Sequence, residues 1–581
     1  MTLHQYDYIF ALGTIFAFLD AWNIGANDVA NSWATSVASR SVTYIQAMFL
    51  AGTMEFVGAI GAGARVTDTI RTKIVDPDLY TNENHAVLML GMLCAVIASS
   101  LFLTMATKIG FPVSTTHSIL GGVLGMAVAS VGASNVTWVD RDDDGNFKVK
   151  GGVVAVFLAW IIAPCVSAGF ASVLFLITKF LVLVRKNPVM MALITIPWYF
   201  AVAAALLCML IVTKGGQIEL ELNTGETAGV IIGTGIGFGL LVTFFLLPWI
   251  FRVVVKDDWQ LRWYHIPMGP LLLRRGEIPP PPADHNGIKD FYAGHLTRDE
   301  LEARRAGATA RGDVEAAAAD SKEIKTSSAS DSDIDAYDRV PENKSIVGPK
   351  PEGKLISGPV LFWYAKYFIF RGVDRDVVNS QKEGGVLSGD LEDTHARASH
   401  FDNKVEYMFA FLQVMTAATA SFTHGANDVA NAIGPYATIY QIWQDGKEAL
   451  EAEKSSVPTW ILAFGGAGIM IGLWTYGYHI MKNLGNRLTL QSPARGFCIE
   501  LGSAITIILA TKLALPISTT QCITGATVGV GLCNGDWRAI NWRMVSWIYL
   551  GWIITLPCAG ILSGCIMGFV INAPNWVNPI E

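Results

Sequence analysis

Apolar runs of roughly 20 residues follow one another along most of this chain, separated by short polar turns. Each is long enough to cross a hydrocarbon core of about 30 Å as an α-helix. Seven spans are predicted at about 6–31, 43–64, 86–107, 112–133, 152–184, 189–213 and 227–255. Five more follow at about 404–431, 458–480, 497–515, 516–534 and 545–571. The fourth and eleventh begin at Pro112 and Pro516 after almost no loop, so each is either a full span or one arm of a re-entrant hairpin. The pattern predicts an all-α membrane protein of about 12 segments with broken helices or re-entrant hairpins.

The alternation stops between 256 and 403. This segment holds Pro279-Pro280-Pro281-Pro282, an Ala/Arg/Glu-rich stretch from Leu301 to Ala319 and a Ser/Asp-rich run from Thr326 to Asp333. Such composition buries too little apolar surface to offset chain entropy, so a mostly disordered loop is expected. Pro359 to Phe370 is aromatic and apolar but too short to span, which suits the bilayer surface. The organisation expected is a first membrane half (1–255), a large loop (256–403) and a second membrane half (404–581).

Polar residues break the apolar pattern at a few points, and these points repeat. Gly25-Ala26-Asn27-Asp28-Val29-Ala30-Asn31 recurs letter for letter as Gly425 to Asn431. With an offset of 404, Cys94 falls on Cys498, Pro112-Val113-Ser114-Thr115-Thr116 on Pro516-Ile517-Ser518-Thr519-Thr520, and Gly121 and Gly125 on Gly525 and Gly529. Two blocks in the same order argue for internal duplication. Seven spans separate the copies, and an odd number inverts the second, which predicts an inverted-topology repeat.

An Asp at the centre of a membrane helix costs about 2.5–3.5 kcal/mol on insertion scales. Bearing that cost twice with the same residues points to one site lined from two halves. Asn and Asp offer hard oxygen ligands, suited to Na⁺ or to proton acceptance, so Asn23, Asp28, Asn31, Asp428 and Asn431 are candidate cation ligands. Gly25 and Gly425 permit an unwound or closely packed backbone there. The Pro-x-Ser-Thr-Thr segments read as helix N-termini, where free N–H groups and the positive dipole end bind oxyanions without Arg. Asn27, Asn427, Ser114, Thr115, Thr116, Ser518, Thr519 and Thr520 are therefore candidates for holding a tetrahedral anion. Any single Ser-Thr-Thr reads more readily as helix packing; the duplication beside Asn-Asp makes the difference.

Glu55 and Glu500 are two more carboxylates inside spans and further candidate Na⁺ ligands, and the repeat does not pair them, since Val96 stands opposite Glu500. Four acids without an evident Lys or Arg among them cannot hold an anion alone, so cations must bind with it. His424 and His117, which stand where the other copy has Ile24 and Gln521, read as neutral hydrogen-bonded residues or as proton-sensitive groups.

Composition agrees with a membrane protein: 52% of residues are hydrophobic and only 16% charged, less charge than a soluble chain of this length carries. The net charge of −7 argues against a nucleic-acid partner. The eight Cys all fall in apolar segments and read as small core residues, not as disulfides or a transition-metal site. No cofactor is implied. Tyr6 onward runs straight into the first motif and reads as a retained span. Arg40, Arg185, Lys186, Lys482, Arg487, Arg495, Arg538 and Arg543 lean toward the side of the central loop. The positive-inside rule then puts that loop in the cytoplasm and both termini outside. The sequon at Asn135 falls outside in this arrangement and the one at Asn343 inside.

These motifs resemble the inorganic phosphate transporter (PiT) family, whose hallmark is the repeated GANDVANA-like motif with a Pro-x-Ser-Thr-Thr segment. The likeness covers both membrane halves. The opening Leu3 to Ser32 and Ile278-Pro279-Pro280 look like the fungal sodium-phosphate symporters. The resemblance implies Na⁺-coupled uptake of inorganic phosphate at the plasma membrane, with Asp28, Asp428, Glu55, Glu500, Ser114 and Ser518 important for transport. Ser32 and Gln521 depart from the family pattern, and the family also has proton-coupled members. The alternatives are a proton-coupled or other oxyanion carrier, a cation exchanger, and a phosphate sensor with residual transport. A homodimer is compatible with the sequence. No nucleophile–base pair or nucleotide loop suggests an enzyme.

Overall fold

The computed structural model describes residues 4–64, 77–80, 85–141, 147–148, 152–214, 222–282, 287–310, 346–354, 357–370, 372, 377, 381, 387–446, 457–512 and 517–573. The regular elements among them are helices, apart from a two-residue ladder pairing Asp140–Arg141 with Phe147–Lys148. The long helices are α1 (Asp7–Ala38), α2 (Tyr44–Ala62), α3 (His85–Ile109), α4 (Thr115–Val131), α5 (Gly152–Leu183), α6 (Pro188–Lys214) and α7 (Thr224–Val255). After the central segment come α8 (Asn403–Asp445), α9 (Thr459–Tyr476), α10 (Pro493–Lys512), α11 (Thr519–Leu532) and α12 (Trp542–Asn572). Local chemistry starts several of them. Thr43 and Gln46 form a capping box at α2, Asn223 and Glu226 another at α7, and Asp402 and Asn541 cap α8 and α12.

Among the described residues nine helices are long and apolar enough to cross a membrane, fewer than the dozen segments expected. The other three have clear reasons. α4 and α11, with 17 and 14 residues, are shorter than the roughly 20 a span needs. α8 has 43 residues but carries Gln413, His424, Asn427, Asp428 and Asn431 along its length. Neither copy of the Asn-Asp motif unwinds its helix: α1 and α8 run unbroken through it. The break instead lies between α3 and α4, where Gly110 adopts φ +73° and Phe111 to Ser114 are non-helical.

Burial is the reverse of a soluble protein. Ile161, Ile194, Trp198 and Phe569 are exposed on outer faces, while Asp20, Asp28, Asp428, Glu55 and Glu500 are enclosed. A chain in lipid needs an apolar rim and satisfies its polar groups internally. Cys94, Cys498 and Cys522 are core residues, but Cys165, Cys558 and Cys565 lie on exposed faces.

The two halves pack reciprocally. α1 lies against α9 and α8 against α2; α4 lies against α12 and α11 against α5. Each half thus lends helices to the other's motif helix. Gly25 and Gly425 make the first exchange possible. A Cβ on Gly25 would collide with the carbonyl oxygen of Ile469 in α9, and one on Gly425 with that of Glu55 in α2. The correspondence makes Ile469 the counterpart of Glu55.

The central segment carries more structure than its composition suggests. Helices Arg298–Ala310, Gly358–Phe370 and Leu391–Ala396 are formed. Phe291 and Tyr292 are buried, Arg40 donates to Ala293 O at 2.8 Å, and Arg305 pairs with Asp390 at 2.9 Å. Gly358–Phe370 keeps Phe362 and Phe368 exposed and accepts a bond from Trp474 Nε1 at Ile369 O, 2.9 Å. The Ser/Asp-rich run 326–333 and the sequon at Asn343 lie outside the described residues.

Candidate functional site

The reciprocal packing brings the polar faces of α1 and α8 together against the starts of α4 and α11. Asp28 Oδ2 accepts from Thr115 Oγ1 at 2.7 Å, and Asp428 Oδ2 accepts from Thr519 Oγ1 at 3.1 Å. Asn31 Nδ2 donates to Asp28 Oδ1 at 3.2 Å and Asn431 Nδ2 to Asp428 Oδ1 at 3.2 Å. The amides also cross between halves: Asn31 reaches Thr520 Oγ1 at 2.9 Å, and Asn431 reaches Thr116 Oγ1 at 3.1 Å. Thr520 further donates to Asp28 Oδ1 at 3.3 Å. Each helix start is thus tied to the Asn-Asp pairs of both motifs.

His424 stands at the centre. Its Nε2 lies 2.8 Å from Asp428 Oδ2 and 3.6 Å from Asp28 Oδ2, and its Nδ1 lies 3.3 Å from Glu55 Oε2. All four side chains are buried. With all three carboxylates ionised, one protonated imidazole among them would leave the cluster negative. Asp28, His424 and Asp428 offer ligand atoms within 4.8 Å of one another, close enough to share one ion. An imidazole with oxygen donors and no thiolate suits a hard cation at the carboxylates better than a soft one.

The helix starts add the opposite polarity. Ser114 caps α4 by accepting from His117 N at 3.2 Å. Ser518 occupies the same place at α11 and makes no capping bond, which leaves the first N–H groups there available. Donors and carboxylates side by side can hold an anion and cations together.

Four candidates stand apart from these crossed bonds. Asn27 uses its whole amide on the α3–α4 link, donating to Thr107 Oγ1 at 3.2 Å and Phe111 O at 3.1 Å and accepting from Val113 N at 3.2 Å. Its role is to hold the segment leading into α4. Asn427 donates only to Asp428 Oδ1, at 3.0 Å. Asn23 faces α3, donating to Ser100 O at 3.2 Å and Thr104 Oγ1 at 2.9 Å. Glu500 has a separate setting: it accepts from Thr35 at 2.6 Å, Ser36 at 2.7 Å, Gln413 at 3.1 Å and Thr416 at 2.6 Å.

Sequence reasoning passed over some of these groups. Asp20, on α1 three positions before Asn23, is a fifth enclosed acid, and a carboxylate inside an apolar run was the available signal. Glu406 is a sixth, accepting from Tyr292 Oη at 2.6 Å and Ala494 N at 2.8 Å. Arg495, counted among the basic residues on the side of the central loop, is enclosed; it donates to Ser399 O at 2.6 Å and lies over Phe401.

The contrast between the two glutamates carries a prediction. Gln at position 500 would set an N–H against hydroxyl donors, whereas Gln at position 55 would weaken the hold on His424. In an assay of the Na⁺-coupled phosphate uptake that the resemblance implies, Glu55→Gln and Glu500→Gln should therefore give different Na⁺ and phosphate titrations. Superimposable titrations in the two variants would count against separate roles.

Comparison with known proteins follows the same division. A sequence profile of the phosphate transporter family matches residues 24–563. The chain is 60% identical to the phosphate-repressible phosphate permease pho-4 of Neurospora crassa, over 99% of both chains. It is 29% identical to sodium-dependent phosphate transporter 2 of Xenopus laevis, over 98% of this chain and 99% of the other. A solved structure described as the sodium-dependent phosphate transporter superposes with a TM-score of 0.63 at 25% identity, covering 98% of this chain and all of that one. Near-complete coverage, the duplicated motifs and the enclosed polar cluster agree: the chain belongs to the phosphate transporter family, as a multi-pass membrane transporter and not an enzyme.

Proposed function

We propose that this protein is a sodium-coupled symporter that imports inorganic phosphate across the plasma membrane. The observation that carries the reading is the crossed set of bonds from Asn31 to Thr520 and from Asn431 to Thr116. It gathers both helix starts and both carboxylates at one place. Phosphate takes the Thr115, Thr116, Thr519 and Thr520 hydroxyls, with Ser114 and Ser518 at the same helix ends and free N–H groups beside them. Na⁺ takes Asp28, Asp428 and Glu55, with Asn31 and Asn431 completing the shell. Neither charge is stable there alone. The carboxylates repel the anion, and cations bound with it offset that repulsion, so binding of one ligand strengthens the other. The sodium-dependent relatives support the choice of cation.

The finer architecture belongs to the same proposal. α1–α5 and α8–α12 form two repeats, with α6 and α7 between them. Seven helices separate α1 from α8, so the second repeat is inverted. α8 spans as α1 does, and α4 and α11 are half-helices whose starts meet near the bilayer midplane. The termini are outside and 256–403 is cytoplasmic. A cysteine at the exposed Glu302 should resist an impermeant thiol reagent on intact cells; labelling there would reverse the orientation.

Labelled phosphate uptake into proteoliposomes decides the function. An inward Na⁺ gradient should drive accumulation, and its removal should abolish it. Sulfate should not compete. A second reading, coupling to protons, draws on His424 lying 2.8 Å from Asp428. Accumulation driven by an inward proton gradient in Na⁺-free buffer would favour it. A chain lacking 311–345 should keep its flux; loss of flux there would favour a sensor.

A further inference from the structure

Asp20 has no part in the site described above. It lies on α1, two helical turns before Asp28 and so about 12 Å away along the axis. Its side chain is fully enclosed. Among the described residues it forms no ion pair, and its Oδ2 has no hydrogen-bond partner. The hydroxyls of Ser99 and Ser100 face the carboxylate; Ser100 Oγ lies 3.5 Å from Oδ1 but is closer to Val96 O and Phe16 O, at 2.7 and 2.9 Å. A bare carboxylate in hydrocarbon needs compensation.

Two more oxygens in the same cluster are unspent. Asn23, one turn along on the same face, commits its amide nitrogen to Leu19 O, Ser100 O and Thr104 Oγ1 at 2.9, 3.2 and 2.9 Å. Two of those acceptors are carbonyls, so the amide orientation is fixed and Oδ1 points away from them, without a partner. Ser99 Oγ, next to Ser100 on α3, is enclosed and unpartnered as well.

Glu500 makes the comparison instructive. It sits on α10 against α8, with the end of α1 also beside it, much as Asp20 sits on α1 against α3. There, four donors satisfy the carboxylate. Among the described residues Asp20 has only the hydroxyls of Ser99 and Ser100 facing it, one of them committed to carbonyls, and a hydroxyl can also turn a lone pair inward. One negative charge with an amide oxygen and a hydroxyl oxygen to hand is a setting for a hard monovalent cation.

We propose that Asp20, Asn23 and Ser99 form a separate Na⁺ site, with Asp20 supplying the charge and the other two supplying neutral oxygens. It rests on the sodium-symport reading only for the identity of the cation. The experiment is ²²Na⁺ binding to the purified full-length chain, with and without phosphate. Asp20→Asn should lose one saturable Na⁺ per chain and keep the fraction that depends on Asp28. Ser99→Ala keeps the carboxylate and should bind the same number of ions several-fold more weakly. An unchanged ion count in Asp20→Asn overturns the site while the central assignment stands. Loss in Asp20→Asn with none in Asp28→Asn upholds this site and overturns the central assignment. If Asp20→Asn does not fold, wild-type Na⁺ affinity in Ser99→Ala overturns the proposal by itself.

Discussion

Replacing Asp28 or Asp428 by Asn should reduce Na⁺-driven phosphate uptake to background in protein that inserts normally. Either change keeps the side-chain shape and removes one negative charge facing His424. It also turns an acceptor oxygen into a donor opposite Thr115 in one case and Thr519 in the other. A bond to a charged group is worth about 1.5–3 kcal/mol, or roughly 10- to 100-fold in an equilibrium constant. Asp28 accepts from Thr115, Asn31 and Thr520, so several such terms are disturbed at once. The variant with both changes should be no worse than either alone, because each already disables a shared site. Uptake in proteoliposomes, normalised to inserted protein, is the measurement. Wild-type rates in either single variant would falsify the role given to the pair.

Gly25→Ala and Gly425→Ala should destabilise the protein by about 1–3 kcal/mol each or more, the range for overpacking a tight contact. The added Cβ would press on backbone, which cannot rotate aside as a side chain does: Ile469 O in one case and Glu55 O in the other. Gly229→Ala and Gly233→Ala are the controls. Nothing lies within 4 Å of a Cβ at those positions, so better helix propensity should leave stability unchanged or slightly raised. Thermal unfolding in detergent, followed by size-exclusion chromatography, separates the two outcomes. The two motif glycines should also differ from each other in uptake per folded molecule. Displacing α2 draws Glu55 from His424, whereas displacing α9 moves only Ile469. Equal melting temperatures for Gly25→Ala and Gly229→Ala would mean that α1 and α9 do not need their close approach.

Much of the class and the family was legible from local pattern. Length of apolar run and enclosure in lipid are linked by the thickness of the bilayer, so the run of helices could be read without tertiary knowledge. Family membership was equally legible, because the motif pair is duplicated and spaced over both halves. The motif copies also named Asp28, Asp428, Asn31, Asn431 and the four threonines as candidates. Their roles as ligands stand as a proposal, but the structure does set those side chains within bonding reach of one another.

The chain by itself determined what is local: which segments are apolar, which residues repeat, and which helix starts carry capping hydroxyls. Tertiary packing decided which of those residues meet. α1 lies against α9 and α8 against α2, an exchange invisible in either repeat alone, and it carries Glu55 to a motif in the other half. The same packing turned His424 to the centre of three carboxylates, while its counterpart Ile24 stayed in the core. It sent Asn27 to a structural link and left Asp20 among unspent oxygens. The physical reason is that an intramembrane polar group takes its role from the partners it finds. Those partners come from helices hundreds of residues away, brought close where glycines let backbones touch.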